Sequence, residues 1–201
     1  VTAAPPGALR LPAYLAGRFL AIARAWAPGR RDCLLAGILT LTPDATQGIG
    51  VHYEEYLPAG RLVVTGAMQR IGRSVRVTAI NEEDEIFIDF CLQIPPAPAR
   101  MLYGILSGAA LHDLEMRPSS CKLIALRADA VPFETLREVS GYHPNSPEAI
   151  GGMALTAGLA AEQAAIFGAK AHDFLNAGEP GLINVTPSEL APLIVSAYSQ
   201  A

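Results

Sequence analysis

Residues 85–94 read EIFIDFCLQI, and their strict alternation constrains the fold more than any other feature of the chain. Ile86, Ile88, Phe90, Leu92 and Ile94 fall on one side of an extended segment, and Glu85, Phe87, Asp89, Cys91 and Gln93 on the other. Successive side chains on a strand point to opposite faces, so this segment has one face for a core and one for water. The same pattern extends upstream. Residues 61–70 (RLVVTGAMQR) and 73–80 (RSVRVTAI) flank Ile71-Gly72, a tight hairpin signal. Residues 49–57 (IGVHYEEYL) end at Pro58-Ala59-Gly60, residues 34–42 (LLAGILTLT) form an apolar β-prone run, and Asn81-Glu82-Glu83-Asp84 makes a further turn. These runs predict an antiparallel meander over residues 34–94.

Pro95-Pro96-Ala97-Pro98 ends the meander, because fixed φ and missing N–H groups cannot continue a central strand. The rest reads as mostly helical. Residues 98–112 place Met101, Leu102, Ile105, Leu106 and Ala109 on one helical face, residues 120–127 form a strand, and residues 132–140 a short helix closed by Gly141. A long helix is predicted over 147–176, with Ser146 as N-cap, Pro147 in its first position and Glu148 complementing its dipole. A last helix starts at Thr186, where Thr186 and Glu189 fit a capping box. Ahead of the meander, Leu11, Leu15, Phe19, Ile22 and Trp26 recur at helical spacing, which predicts a helix over 10–27 that stops before Pro28-Gly29. The expected class is α+β in a single domain, 1–201. A mainly antiparallel sheet, residues about 34–94, packs against an N-terminal helix and several C-terminal helices, and residues 1–8 are loose.

Composition narrows the function. With 17% charged residues and a mean hydropathy of +0.28 the chain has ample apolar surface to fold, so disorder is excluded. No stretch reaches about 18 apolar residues without a charge, the length a membrane-spanning helix needs. A net charge of −4 and a pI near 5.6 exclude a nucleic-acid-binding surface. Cys33, Cys91 and Cys121 are an odd number at wide spacings with no CxxC, so they read as reduced thiols in a cytoplasm. Arg10, Arg18, Arg24, Arg30 and Arg31 with no acid among the first 31 residues suggest a transit peptide, but that stretch contains no serine and reads as an ordinary amphipathic helix. The scarcity of charge points to buried subunit contacts, on the N-terminal helix and on the small-residue face of the long helix (Ala154, Gly158, Ala161, Ala164, Ala165, Gly168).

The most informative segment for chemistry runs from Ser140 to Pro147 (SGYHPNSP) and enters the long helix, whose first turns hold Gly151-Gly152. A helix N-terminus presents unpaired N–H groups and the positive end of a dipole, and paired glycines admit a close ligand or a close backbone. The candidate site is therefore an anion-binding one, with Asn145, Ser146, Gly151 and Gly152 as binding residues and His143 as acid/base. The alternative is a capped helix whose glycines pack tightly, since GxGxxG and GxxxxGK[ST] are both absent. Three further groups carry weaker signals. His52, His112-Asp113 and His172-Asp173 suggest a metal phosphohydrolase, but the region between them reads as strand, and no metal site is assigned. Ser119, Ser120 and Cys121 lack a nucleophile elbow, and Cys121 reads as a buried, inert thiol. Glu54 and Glu55 point to opposite faces of one strand. If one is held inward, its pKa rises and it becomes a candidate general base; the simpler expectation is solvated charge on an edge strand. Arg61, Arg70, Arg73 and Arg76 against Glu82 to Glu85 are expected to pair across strands.

Leu57-Pro58-Ala59-Gly60, Arg70-Ile71-Gly72-Arg73-Ser74-Val75 and Glu82-Glu83-Asp84-Glu85 follow one another within residues 51–94. In that order they resemble the strand meander of hot-dog-fold acyl-CoA thioesterases. The resemblance implies an acyl-type ligand. The family's acidic residue lies on a helix before the meander, and residues 10–27 contain no acid, so no catalytic residue is carried over. The roughly hundred residues after Ile94 have no counterpart in a single hot-dog unit.

Two functions fit these features. The first is a cytoplasmic enzyme or enzyme-like protein that binds a small anionic or acyl-type (CoA-like) metabolite between the sheet and the N-terminus of the long helix, with no cofactor, nucleic-acid or membrane partner. The second is a non-catalytic accessory or assembly protein acting through a homo-oligomer interface.

Overall fold

A computed structural model describes residues 11–44, 48–81, 86–109, 117–177 and 182–184. Eight strands follow one another around a closed antiparallel barrel: β1 (Gly17–Arg24), β2 (Cys33–Asp44), β3 (Gly48–Leu57), β4 (Gly60–Ile71), β5 (Ser74–Asn81), β6 (Ile86–Gln93), β7 (Met101–Gly108) and β8 (Ser119–Arg127). Pairing of β1 with β8, from Phe19 opposite Arg127 to Ala23 opposite Leu123, closes the ring. Helices α1 (Phe133–Val139), α2 (Pro147–Thr156) and α3 (Ala161–Asn176) lie outside. Between them β9 (Gly141–Pro144) pairs with the start of β2, and β10 (Leu182–Asn184) with the start of β8.

This corrects the α+β expectation: the chain is a mainly-β barrel. The meander expected over residues 34–94 is present as β2 to β6, with Ile86, Ile88, Phe90 and Leu92 inside and Phe87 and Cys91 outside. Its neighbours also continue as strands. Residues 10–27 contain β1 instead of a helix, because Phe19, Ala21 and Ala23 face the barrel lumen while Leu20 and Ile22 pack beneath the helices. A strand apolar on both faces has no period of two. Burial within the chain also accounts for the missing charge there without a subunit contact. Residues 98–112 contain β7, where Leu102 and Leu106 point in while Tyr103 and Ile105 stay partly exposed. The predicted long helix is two helices, α2 and α3. Residues 1–8, the acidic turn 82–85, the His112-Asp113 pair and the helix expected from Thr186 lie outside the described residues. Among the described residues no helix is long and apolar enough to cross a membrane.

Eight strands leave a lumen just wide enough for side chains to fill or for one small ligand. Phe19, Tyr53, Met68 and Phe90 fill much of it. On the outside, Leu20, Ile22, Ala36, Ile38 and Ile124 pack with Leu136, Ile150, Met153 and Leu175 of the helices. Helices α2 and α3 approach closely. A Cβ added to Gly168 would stand 2.3 Å from the Pro147 carbonyl oxygen and 2.9 Å from the Gly151 nitrogen, whereas one added to Gly152 meets nothing within 4 Å. Gly168→Ala is therefore expected to lower stability in chemical denaturation by roughly 2 kcal/mol through overpacking. Gly152→Ala is expected to raise it by up to about 1 kcal/mol through helix propensity. Equal effects at the two positions would contradict the packing.

Candidate functional site

Strand β3 alternates lumen-facing and outward residues, and this separates two adjacent carboxylates. Both Glu54 and Glu55 are only 4% exposed, so neither is a solvated charge on an edge strand. Glu54 faces outward and is fully engaged. Arg61 on β4 grips its Oε2 through Nε at 2.9 Å and Nη2 at 2.6 Å, the Tyr56 hydroxyl donates to the same oxygen at 2.8 Å, and His52 Nε2 donates to Oε1 at 2.9 Å. Burial pushes the Glu54 carboxyl up, but the hydrogen bonds from Arg61 and Tyr56 and the nearby positive charge outweigh it and hold it below its ordinary value.

Glu55 faces the lumen. Its hydrogen bond comes from the Tyr53 hydroxyl, at 2.8 Å, two residues earlier on the same face. Burial dominates: it pushes the Glu55 carboxyl up to about 7, against the smaller opposing effect of that bond. Burial, reinforced by Glu55, raises Tyr53 well above its ordinary value, so the phenol keeps its proton and remains the donor. The Tyr53 ring is fixed edge-on to Phe90, with centroids 5.3 Å apart and planes at 75°. Gly37 on β2 makes room for it, since a Cβ there would lie 2.4 Å from the hydroxyl oxygen.

The barrel wall divides at this level. The β2–β3 ladder runs from Asp44 opposite Gly48 to Ile38 opposite Glu54 and stops. Beyond it β2 pairs with β9 instead, from Ala36 opposite Gly141 to Cys33 opposite Pro144. The wedge begins at Ser140, whose hydroxyl accepts from the Tyr56 N–H at 3.0 Å and donates to the Ala36 carbonyl at 3.0 Å. Gly141 follows at φ +123°, where a Cβ would meet the Tyr56 carbonyl oxygen at 2.8 Å, so both the backbone angle and the space require glycine. Tyr142, opposite Leu35, is raised first by burial and then by the charge of Glu55, and the Arg30 guanidinium lies 5.2 Å above its ring. Glu55 thus sits at a fork between two strands, near the end of the barrel where β1 turns into β2.

The predicted site residues are distributed around this fork and the helices. His143 lies opposite Leu34, on the helix-covered side of β9, and its Nε2 donates to the Val139 carbonyl at 2.6 Å. Asn145 exchanges reciprocal amide hydrogen bonds with Asn176, at 3.0 and 3.2 Å. Ser146 caps α2 by accepting from the Ala149 N–H at 3.2 Å. The exposed Glu148 carboxyl is held low by a backbone N–H in the same first turn and by Ser146, so the chain supplies its own anion there. Gly151 packs beside the Ala164 carbonyl, and together with Gly152 and Leu155 it lines an open groove of about 370 Å³ between α2 and α3. The structure therefore brings Ser146 and Gly151 into helix capping and packing, and it places His143 away from the lumen.

Cys121 faces the lumen at the same end as Glu55. Burial pushes its thiol up to about 12, against a hydrogen bond from the Arg24 backbone, so it stays protonated. On the outer wall Arg76 lies 3.7 Å from Asp89 across β5 and β6, while the acidic partners expected for it, residues 82–85, lie outside the described residues. Sequence reasoning missed Tyr53 and Gly37, and it singled out the segment that begins at Ser140 without giving that residue a role. The signal available for Tyr53 was its spacing of two from Glu55, which puts both on one face of a strand. Compared with known proteins, the chain matches no family model, no curated protein and no solved structure.

Proposed function

We propose that the chain is an enzyme that binds a small acyl-type or anionic metabolite at the forked end of the barrel and moves a proton on it through Glu55. The observation that carries the reading is the Glu55 carboxyl, buried in an apolar lumen with the Tyr53 hydroxyl as its hydrogen-bond donor. Burying an ionisable group without a countercharge is costly, and such groups concentrate where a proton must be given or taken near neutral pH. A carboxyl titrating near pH 7 is present in both forms under ordinary conditions, which suits it to act as general base or general acid. Tyr53 fixes the carboxyl's orientation. Arg30 over Tyr142 favours a negative group on the ligand, and the resemblance of residues 51–94 to acyl-CoA thioesterases favours an acyl body. This reading puts the ligand inside the barrel and not at the N-terminus of α2, whose first turn holds Ser146 and Glu148.

Binding of N-phenyl-1-naphthylamine, a neutral fluorophore that brightens in apolar surroundings, tests the reading together with carbon-13 titration of the glutamate carboxyls. The probe is expected to saturate at one per chain. The resonance lost in Glu55→Gln is expected to titrate near pH 7 and to move when the probe binds. Non-saturable binding, or a Glu55 resonance that titrates in the ordinary carboxylate range, would overturn it.

A further inference from the structure

We infer that Ser140 is a positioning residue that holds the barrel wall open at Glu55 by replacing one rung of the β2–β3 ladder with its hydroxyl. The inference rests on the reading of Glu55 given above. Two residues beyond the last regular pair, Ile38 with Glu54, the ladder would set Ala36 opposite Tyr56. There an antiparallel pair would be joined by an N–H···O=C bond. The Ser140 hydroxyl occupies that position instead: it accepts from the Tyr56 N–H and donates to the Ala36 carbonyl, each at 3.0 Å. Both backbone groups stay satisfied while the strands stand one hydroxyl further apart, so the opening leaves no orphaned polar group. Gly141 follows with its backbone against the Tyr56 carbonyl, where a side chain would not fit. Glu55 falls between the last true rung and the substituted one.

Without the hydroxyl the two freed groups can pair directly, and the ladder gains a rung across Glu55. In Ser140→Ala and Ser140→Gly, a scalar coupling across a direct hydrogen bond from the Tyr56 nitrogen to the Ala36 carbonyl carbon is expected to appear, and affinity for N-phenyl-1-naphthylamine is expected to fall about tenfold. Ser140→Thr keeps the hydroxyl and is expected to behave as wild type in both measurements. The glycine variant, which leaves no methyl in the fork, serves if the alanine variant does not fold. Wild-type affinity with no coupling in the variants that fold, or a threonine variant that loses the probe, would overturn the inference. If the wild-type chain itself neither binds the probe nor titrates at Glu55 near pH 7, the enzymatic reading fails, while the coupling still reports on the rung.

Discussion

Glu55→Gln is expected to make the protein more stable at pH 8 and to leave its stability at pH 4 almost unchanged. The wild-type carboxyl holds its proton up to about 7 in the folded chain, against an ordinary value of 4.5. Between these values the unfolded chain releases a proton that the folded chain keeps. Stability therefore falls as pH rises from about 4.5 to about 7 and levels off above that. The full loss is about 3 kcal/mol by linkage. Glutamine is neutral throughout, and its amide oxygen can still accept from Tyr53, so the difference between the two proteins should open across that pH window. Guanidinium denaturation of both at pH 4, 6 and 8 measures it. Parallel curves would mean that Glu55 is not held neutral. The same substitution should abolish proton transfer at the site, so stability gained at the expense of function is the expected signature of a working group.

The second large effect is expected at Gly37. Its added methyl in Gly37→Ala would come within 2.6 Å of two carbons of the Tyr53 ring as well as meeting the hydroxyl. That ring is buried and braced against Phe90, so it has nowhere to retreat. Overpacking together with a weakened hydrogen bond to Glu55 is expected to lower stability by roughly 3 kcal/mol. Tyr53→Leu made in the same chain should recover part of the loss, so that the two substitutions together fall short of their sum by more than about 1 kcal/mol. Additive effects in thermal or chemical unfolding would place the Gly37 clash elsewhere.

The sequence made some of this legible and concealed the rest for physical reasons. Residues 86–93 and 74–81 alternate cleanly because their outer face meets water, so their strands could be read directly. In β1 the outer face is itself buried, and the run Phe19 to Ala23 is apolar at every position, which a helix pattern fits as well as a strand. In β7, Tyr103 and Ile105 place apolar groups on the outer face and erase the alternation. The opposite orientations of Glu54 and Glu55 followed from strand geometry alone. Their environments did not, because Arg61 comes from the next strand and the helix-linked wedge from residues about 85 positions later. The segment Ser140 to Pro147 stood out for its polar and glycine content, yet its role depends on pairing with Cys33 to Ala36, a contact over more than a hundred residues that no local pattern encodes.

The opposite surroundings of the two faces of β3 also guard against misfolding. Sliding β3 by one residue would exchange the faces of all its side chains. Glu54 would be forced into the apolar lumen without Arg61, and Tyr53 would be stripped from Phe90 and turned outward. Here Tyr53 and Glu54, neighbours on β3, both lose their partners in the wrong alignment, so residues of the fork also proofread the strand that carries them.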